Sequence, residues 1–116
     1  KAAKMSKDGD TYVLLGNLYL FEDRMEDSIR AIESGLKKPK VKSRSQALLV
    51  LGQAHFELQN FEEAKKQFRA AARDKNKRIK KTANSWIKYA ENEEIRVKNL
   101  ALRRDFIQQS KAKAKS

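Results

Sequence analysis

Apolar residues recur at intervals of three and four along most of the chain, the spacing that lines one face of an α-helix. Tyr12, Leu15, Leu18 and Tyr19, with Phe21 beside them, form the first series. Ile29, Ile32 and Leu36 form the second, and Leu48, Leu51, Ala54, His55 and Leu58 the third. Phe61, Ala64, Phe68, Ala71 and Ala72 follow, then Ile79, Ala83, Trp86, Ala90 and Val97. No segment alternates apolar and polar residues convincingly over six positions, so strands are not expected. Breakers separate the series: Asp23-Arg24, the stretch around Pro39, and Gln59-Asn60. Asn60 and Glu63 have capping-box spacing. The pattern predicts helices over 10–22, 25–37, 44–58, 61–73 and 79–108, an all-α chain.

The series repeat. Gly16 and Gly52 lie 36 residues apart, and Leu15-Gly16 aligns with Leu51-Gly52. In the same register Tyr12 meets Leu48, Tyr19 meets His55, Ser28 meets Ala64, Ile32 meets Phe68 and Gly35 meets Ala71. Small residues therefore recur where two helices of a hairpin would cross closely, and large ones recur beside them. This pattern resembles the tetratricopeptide repeat, W-x-x-L-G-x-x-Y then A-x-x-x-F. Copy one reads Tyr12-x-x-Leu15-Gly16-x-x-Tyr19 with Ser28 and Ile32. Copy two reads Leu48-x-x-Leu51-Gly52-x-x-His55 with Ala64 and Phe68. The residues beyond the usual period fall near Pro39–Arg44, in a loop where insertion is tolerated.

The resemblance implies an α-solenoid with repeats at 9–42 and 43–78. Trp86 takes the signature tryptophan slot of a degenerate third unit if Ala90 takes the glycine slot. One long helix over 79–108 then caps the array, as such arrays require. Residues 1–8 read as the tail of a preceding helix and its loop, and 109–116 as a disordered basic tail. The chain is expected to be the C-terminal part of a longer array, since two repeats alone are marginal.

In this family the first helix of each pair lines a concave peptide groove. The resemblance assigns that groove to Val13, Asn17 and Leu20, then Leu49, Gln53 and Phe56, with Ile87 and Glu91 continuing the row. Asn17 and Gln53 share one slot, and an amide can both donate to and accept from a peptide backbone. The carboxylate-clamp subgroup carries a groove lysine where Val13 stands, so capture of a C-terminal carboxylate by that mode is not implied.

Charge changes the picture next. The 116 residues hold 27 Lys+Arg against 15 Asp+Glu, a formal net charge of +12. Much of it recurs in the loops between repeats. Lys37, Lys38, Lys40, Lys42 and Arg44 follow copy one, and Arg69, Arg73, Lys75, Lys77, Arg78, Lys80 and Lys81 follow copy two. Stacked loops would form one basic edge, suited to an anionic surface such as lipid or an acidic protein. Cations near helix C-termini also suit the helix dipole. Nucleic acid fits the edge less well, because the aromatic residues follow the core pattern and are not interleaved with the lysines.

The last predicted helix would run about 45 Å, farther than two repeats can cover. Ile95, Leu102 and Phe106 lie at helical spacing on its far half, a candidate surface for self-association or a partner.

Chemistry-bearing motifs are missing. The chain has no cysteine, which removes disulfides, thiolate metal sites and a cysteine nucleophile. There is no phosphate-binding loop, dinucleotide fingerprint or HExxH. His55 sits where the repeat wants an aromatic and reads as a packing residue. Glu91, Glu93 and Glu94 read as a solvated face. No catalytic, metal or cofactor site is expected, and the chain reads as a protein-binding scaffold, not an enzyme.

A narrower resemblance joins three phrases over about residues 2–95. They are Ala3-Lys4-Met5-Ser6-Lys7-Asp8-Gly9, Ala70-Ala71-Ala72-Arg73-Asp74-Lys75, and Trp86-Ile87-Lys88-Tyr89-Ala90-Glu91. They are similar to the C-terminal region of tetratricopeptide proteins from TonB–ExbB–ExbD transport clusters of Gram-negative bacteria. That similarity implies a periplasmic or envelope-associated scaffold with TonB–ExbB–ExbD components as partners.

Overall fold

The computed structural model describes residues 9–38 and 41–115. Five helices follow one another: α1 (Gly9–Phe21), α2 (Met25–Leu36), α3 (Arg44–Glu57), α4 (Phe61–Ala71) and α5 (Lys77–Lys115). There is no strand among the described residues. The expected helix tail over 1–8 lies outside them.

Helices α1 and α2 form one antiparallel hairpin, and α3 and α4 the next. Each turn is closed in the same way. Asp23 (φ 64°) and Gln59 (φ 62°) both adopt the left-handed conformation one residue beyond the helix C-cap. Arg24 N–H then reaches back to the Tyr19 carbonyl at 2.9 Å, and Asn60 N–H to the His55 carbonyl at 2.8 Å. Asp23 N–H bonds the Leu20 carbonyl and Gln59 N–H bonds that of Phe56. This paired pattern satisfies carbonyls that the helix end leaves free. The two turns are 36 residues apart, so the repeat extends to hydrogen bonds that side-chain patterning does not reveal.

The same turn displaces the expected capping box. The Asn60 side chain makes no cap hydrogen bond. Its Nδ2 lies 3.5 Å from His55 Nδ1 instead. Glu63 accepts a hydrogen bond from Gln67 Nε2 at 3.2 Å. The cap that does form is Asn76, whose Oδ1 accepts from Arg78 N–H at 2.9 Å and Ile79 N–H at 3.3 Å. An asparagine in this role starts a helix, so α5 begins at Lys77 and not at 79.

Two core clusters run through the stack. Val13 and Ile32 bury against Ala47, Val50 and Leu51 of α3, with Leu20, Ile29 and Leu36 packed around them. Leu49, Phe56, Phe61, Ala64, Phe68 and Ala71 bury against Ala83 and Ala90 of α5, with Trp86, Ile79 and Ile87 alongside. Trp86 stacks on Phe68 with centroids 5.4 Å apart and an interplanar angle of 18°. Phe56 meets Trp86 edge-on at 5.8 Å and stacks on Tyr89 at 5.1 Å.

Burial corrects the register of the third unit. Ala47 and Ala54 of α3 are fully buried, as are Ala83 and Ala90 of α5. Each pair is 36 residues from its counterpart. Ala90 therefore takes the place of Ala54, not of Gly52, and Trp86 takes that of Val50. No second helix follows in this unit, so the place of Gly52 falls on Lys88, which is exposed.

Helix α5 also continues past 108. The stretch 109–115, expected as a disordered tail, is helical as far as Lys115. Alanine and lysine are strong helix formers, and Lys113 and Lys115 in the last turn suit the helix dipole. The 39-residue helix is about 58 Å long at about 1.5 Å per residue.

Candidate functional site

The expected groove row is divided between core and surface. Val13 and Leu49 are buried, and Phe56 is 9% exposed, enclosed by Phe61, Trp86 and Tyr89. Leu20 and Ile87 pack against the two core clusters while remaining half-buried. These five side chains join one hairpin to the next. Asn17 and Gln53 are half-buried and Glu91 is exposed. The accessible members of the row are thus Asn17, Gln53 and Glu91, with Leu20 and Ile87 partly open beside them. Among the described residues, the Asn17 and Gln53 amides hold no hydrogen bond within the chain.

The basic loops come together. Ser45 Oγ, at the start of α3, donates to Asp74 Oδ2 at 2.5 Å. Asp74 also accepts from Asn76 N–H at 2.7 Å. The Ser45 hydroxyl, helped by that amide, holds the Asp74 carboxyl below its ordinary range. This contact ties the loop before α3 to the loop before α5. Lys42, Ser43, Arg44, Ser45, Asp74 and Ile79 line one depression there. Arg44 Nη1 donates to the Leu36 carbonyl at 3.3 Å, closing the end of α2. Lys37, Arg73, Lys75, Lys77, Arg78, Lys80 and Lys81 are exposed nearby in sequence, and Lys38 lies over the Tyr12 ring at 5.5 Å. Lys40 lies outside the described residues.

A buried cation was not anticipated. Lys65 is 8% exposed on α4. Its Nζ meets Glu62 Oε2 at 2.8 Å and Glu94 Oε1 at 2.9 Å, bridging α4 to α5. Hydrogen bonds to Glu62 and then Glu94 raise the Lys65 pKa against the opposing effect of burial. The lysine looked like one surface charge among 27. The one signal was its place a residue after Ala64, on the flank of the buried face.

The far half of α5 stands clear of the repeats. Every described residue from Lys98 onward is exposed. Ile95 is 56% exposed, Leu102 67% and Phe106 66%. Closer in, Arg96 Nε donates to Glu93 Oε1 at 2.7 Å, and that pairing lowers the Glu93 pKa. Glu91, Glu93 and Glu94 therefore divide among solvent, an intrahelical pair and the Lys65 bridge. Among the described residues no three His, Cys, Asp or Glu groups cluster to hold a metal. No helix among them is long and apolar enough to cross a membrane.

Comparison with known protein families matches the tetratricopeptide repeat over residues 45–73, which is α3, α4 and the turn between them. Comparisons with curated proteins and with solved structures give no match. Tetratricopeptide repeats are typically non-catalytic modules that mediate protein–protein interactions. Residues 45–73 are such a repeat, and the helices around it complete an all-α fold of the same helical-repeat type.

Proposed function

We propose that this chain is a non-catalytic scaffold that binds a protein or peptide along the face carrying Asn17 and Gln53. One observation carries the reading. The two amides occupy equivalent places in successive hairpins, half-buried, each able to donate and accept. A peptide backbone laid across the first helices would meet one amide per repeat. Glu91 extends the polar row onto α5. The apolar pockets come from Leu20 and Ile87 alone, because Val13, Leu49 and Phe56 are committed to packing.

The phrases shared with TonB-cluster tetratricopeptide proteins support a finer version. In it the chain is the C-terminal part of an envelope-associated or periplasmic protein that assists TonB–ExbB–ExbD transport. The test is crosslinking and mass spectrometry of proteins captured from a Gram-negative envelope. The unmodified chain is expected to recover components of that complex, and the Asn17→Ala, Gln53→Ala double variant to lose them. Equal capture by both would remove the groove from the reading. Capture of unrelated proteins would remove the transport link.

The Ser45–Asp74 contact favours a second reading, in which the basic edge docks on an anionic surface. It predicts binding to anionic vesicles that weakens steeply with salt. No binding at low salt would dismiss it.

A further inference from the structure

The two ends of this stack are chemically different. In α3, Val50 and Leu51 bury against the hairpin before it at 6% and 3% exposure, and Ala54 beside them is fully buried. In α5 the equivalent residues, Trp86, Ile87 and Ala90, pack on α4 and its neighbours. In α1 the equivalent residues are Leu14, Leu15 and Leu18, and they are 62%, 38% and 53% exposed. Helix α1 thus presents the side chains that twice serve this chain as a hairpin-stacking face, with no described residue stacked on it. The opposite end is finished differently. Leu49 and Phe56, which α3 turns towards α5, correspond to Ser85 and Asn92 on α5 itself, and both are exposed. A helix with apolar residues on more than one side belongs in an interior; α3 is enclosed in that way, whereas α1, of the same kind, leaves one side open.

We infer that the Leu14–Leu15–Leu18 face is the seat of a further helical hairpin of the same repeat type, joined ahead of α1 in the polypeptide, so that the stack grows in one direction only. The inference rests on the reading of the chain as a stacked scaffold and names what its open end takes. The occupant must offer the surface that α1 and α2 offer α3: apolar residues in the places of Val13, Leu20, Ile29 and Leu36. A second copy of this chain cannot supply it by equivalent packing, because both of its surfaces of that kind are already covered, one by α3 and one by α5. The shallow cleft between α1 and α2 is lined by Tyr12, Leu15, Tyr19, Asp27 and Arg30, and its one carboxylate is already paired with Arg24 and Arg30, so the occupant is specified by apolar fit and not by charge.

The experiment duplicates residues 9–44, one full 36-residue period, ahead of Gly9, giving one protein with an inner and an outer copy of this face. Leu18→Asp is made separately in each copy, and unfolding is followed by circular dichroism in denaturant. In the inner copy the substitution is expected to raise the unfolding equilibrium constant more than about tenfold, as for a charge placed in a packed interface. In the outer copy, and in the unextended chain, the change should stay within about twofold. Equal responses in the two copies would overturn the inference. So would separate melting of the added hairpin. A sedimentation dimer of the unextended chain that Leu18→Asp dissociates would also overturn it, assigning the face to a second copy. None of these outcomes depends on the Asn17–Gln53 face, so failure here leaves the peptide-binding test standing.

Discussion

A Cβ added to Gly52 would lie 2.5 Å from Cε1 and 2.7 Å from Cδ1 of Phe68, so the α3–α4 crossing is set by a glycine against a ring. Gly16 meets Ile32 in the same way one repeat earlier, and the Ser28 hydroxyl donates to the Gly16 carbonyl at 2.7 Å. The two sites differ in what can give way. Both partners are fully buried, but the Phe68 ring is rigid and stacked on Trp86, whereas the tip of Ile32 has a second side-chain torsion through which it can shift. Gly52→Ala gains helix propensity of about 0.5–1 kcal/mol but overpacks the crossing at about 1–3 kcal/mol. A net loss of about 1–2 kcal/mol is expected, with a smaller loss for Gly16→Ala. Denaturant unfolding measures both. Adding Phe68→Leu to Gly52→Ala should give a double variant more stable than the two separate losses predict, because the sites share one space.

Those crossings explain how much of the molecule was legible. Glycine opposite a large apolar residue is a packing rule visible in the order of residues, and it recurred at one spacing. The hairpins are therefore legible in the order of residues alone. The third unit escaped because it has no second helix. Without a partner ring there is no need for a glycine, and Trp86 suggested the wrong slot until the burial of Ala83 and Ala90 showed its register. Asn60 misled for a local reason: the left-handed residue before it turned its amide towards His55. The groove was only partly readable. Resemblance identifies the row, but which members remain open depends on how closely the next hairpin sits, and Phe56 lies under Trp86 and Tyr89.

The left-handed turn residues make a second prediction. Glycine adopts this conformation without penalty, whereas a side chain pays roughly 1–2 kcal/mol. Asp tolerates it better than Gln, because its short side chain bonds locally. Glycine also gives the unfolded chain more freedom, which offsets part of the gain. Gln59→Gly should stabilise by about 0.5–1 kcal/mol, and Asp23→Gly by less. Thermal unfolding of the two variants tests both the sign and the order.

Trp86 fastens α5 to the repeats. It touches Phe68 face to face and Phe56 edge-on, and no other tryptophan is present. Trp86→Ala is expected to lose about 3 kcal/mol, the low end for a large aromatic because the residue is only half-buried. Trp86→Phe keeps a stacking ring and should lose much less. Hydrogen exchange gives the more specific readout. In Trp86→Ala the amides of 80–94 should lose protection ahead of those in α1 to α4, since Trp86 is the largest side chain that α5 packs on the repeats, beside Ile79, Ile87, Tyr89, the small residues Ala83 and Ala90 and the Lys65–Glu94 bridge.

The stack should also have a defined acid limit. Asp27 is held below its ordinary pKa by Arg24 and then Arg30, Asp74 by Ser45 and the Asn76 amide, Glu62 by Lys65, and Glu93 by Arg96. A carboxyl whose pKa is lowered on folding adds stability that is complete above the unfolded pKa of about 4. That stability is lost as pH falls through the folded value. The melting temperature should therefore be nearly level from pH 5 to 8 and drop below about pH 4, steepened by the +12 charge once carboxylates no longer oppose it. Lys65 acts with the opposite sign. Its pKa is raised, so its contribution is intact at neutral pH and lost only as pH climbs through its folded value, above about 10. Asp74 isolates one term. Asp74→Ala removes the Ser45 contact and the charge together, so it should melt below the unmodified chain at pH 7. The gap should close as pH falls and the native carboxyl becomes protonated. A gap that persists unchanged at pH 2.5 would mean that the Ser45–Asp74 tie acts through packing and not through its charge.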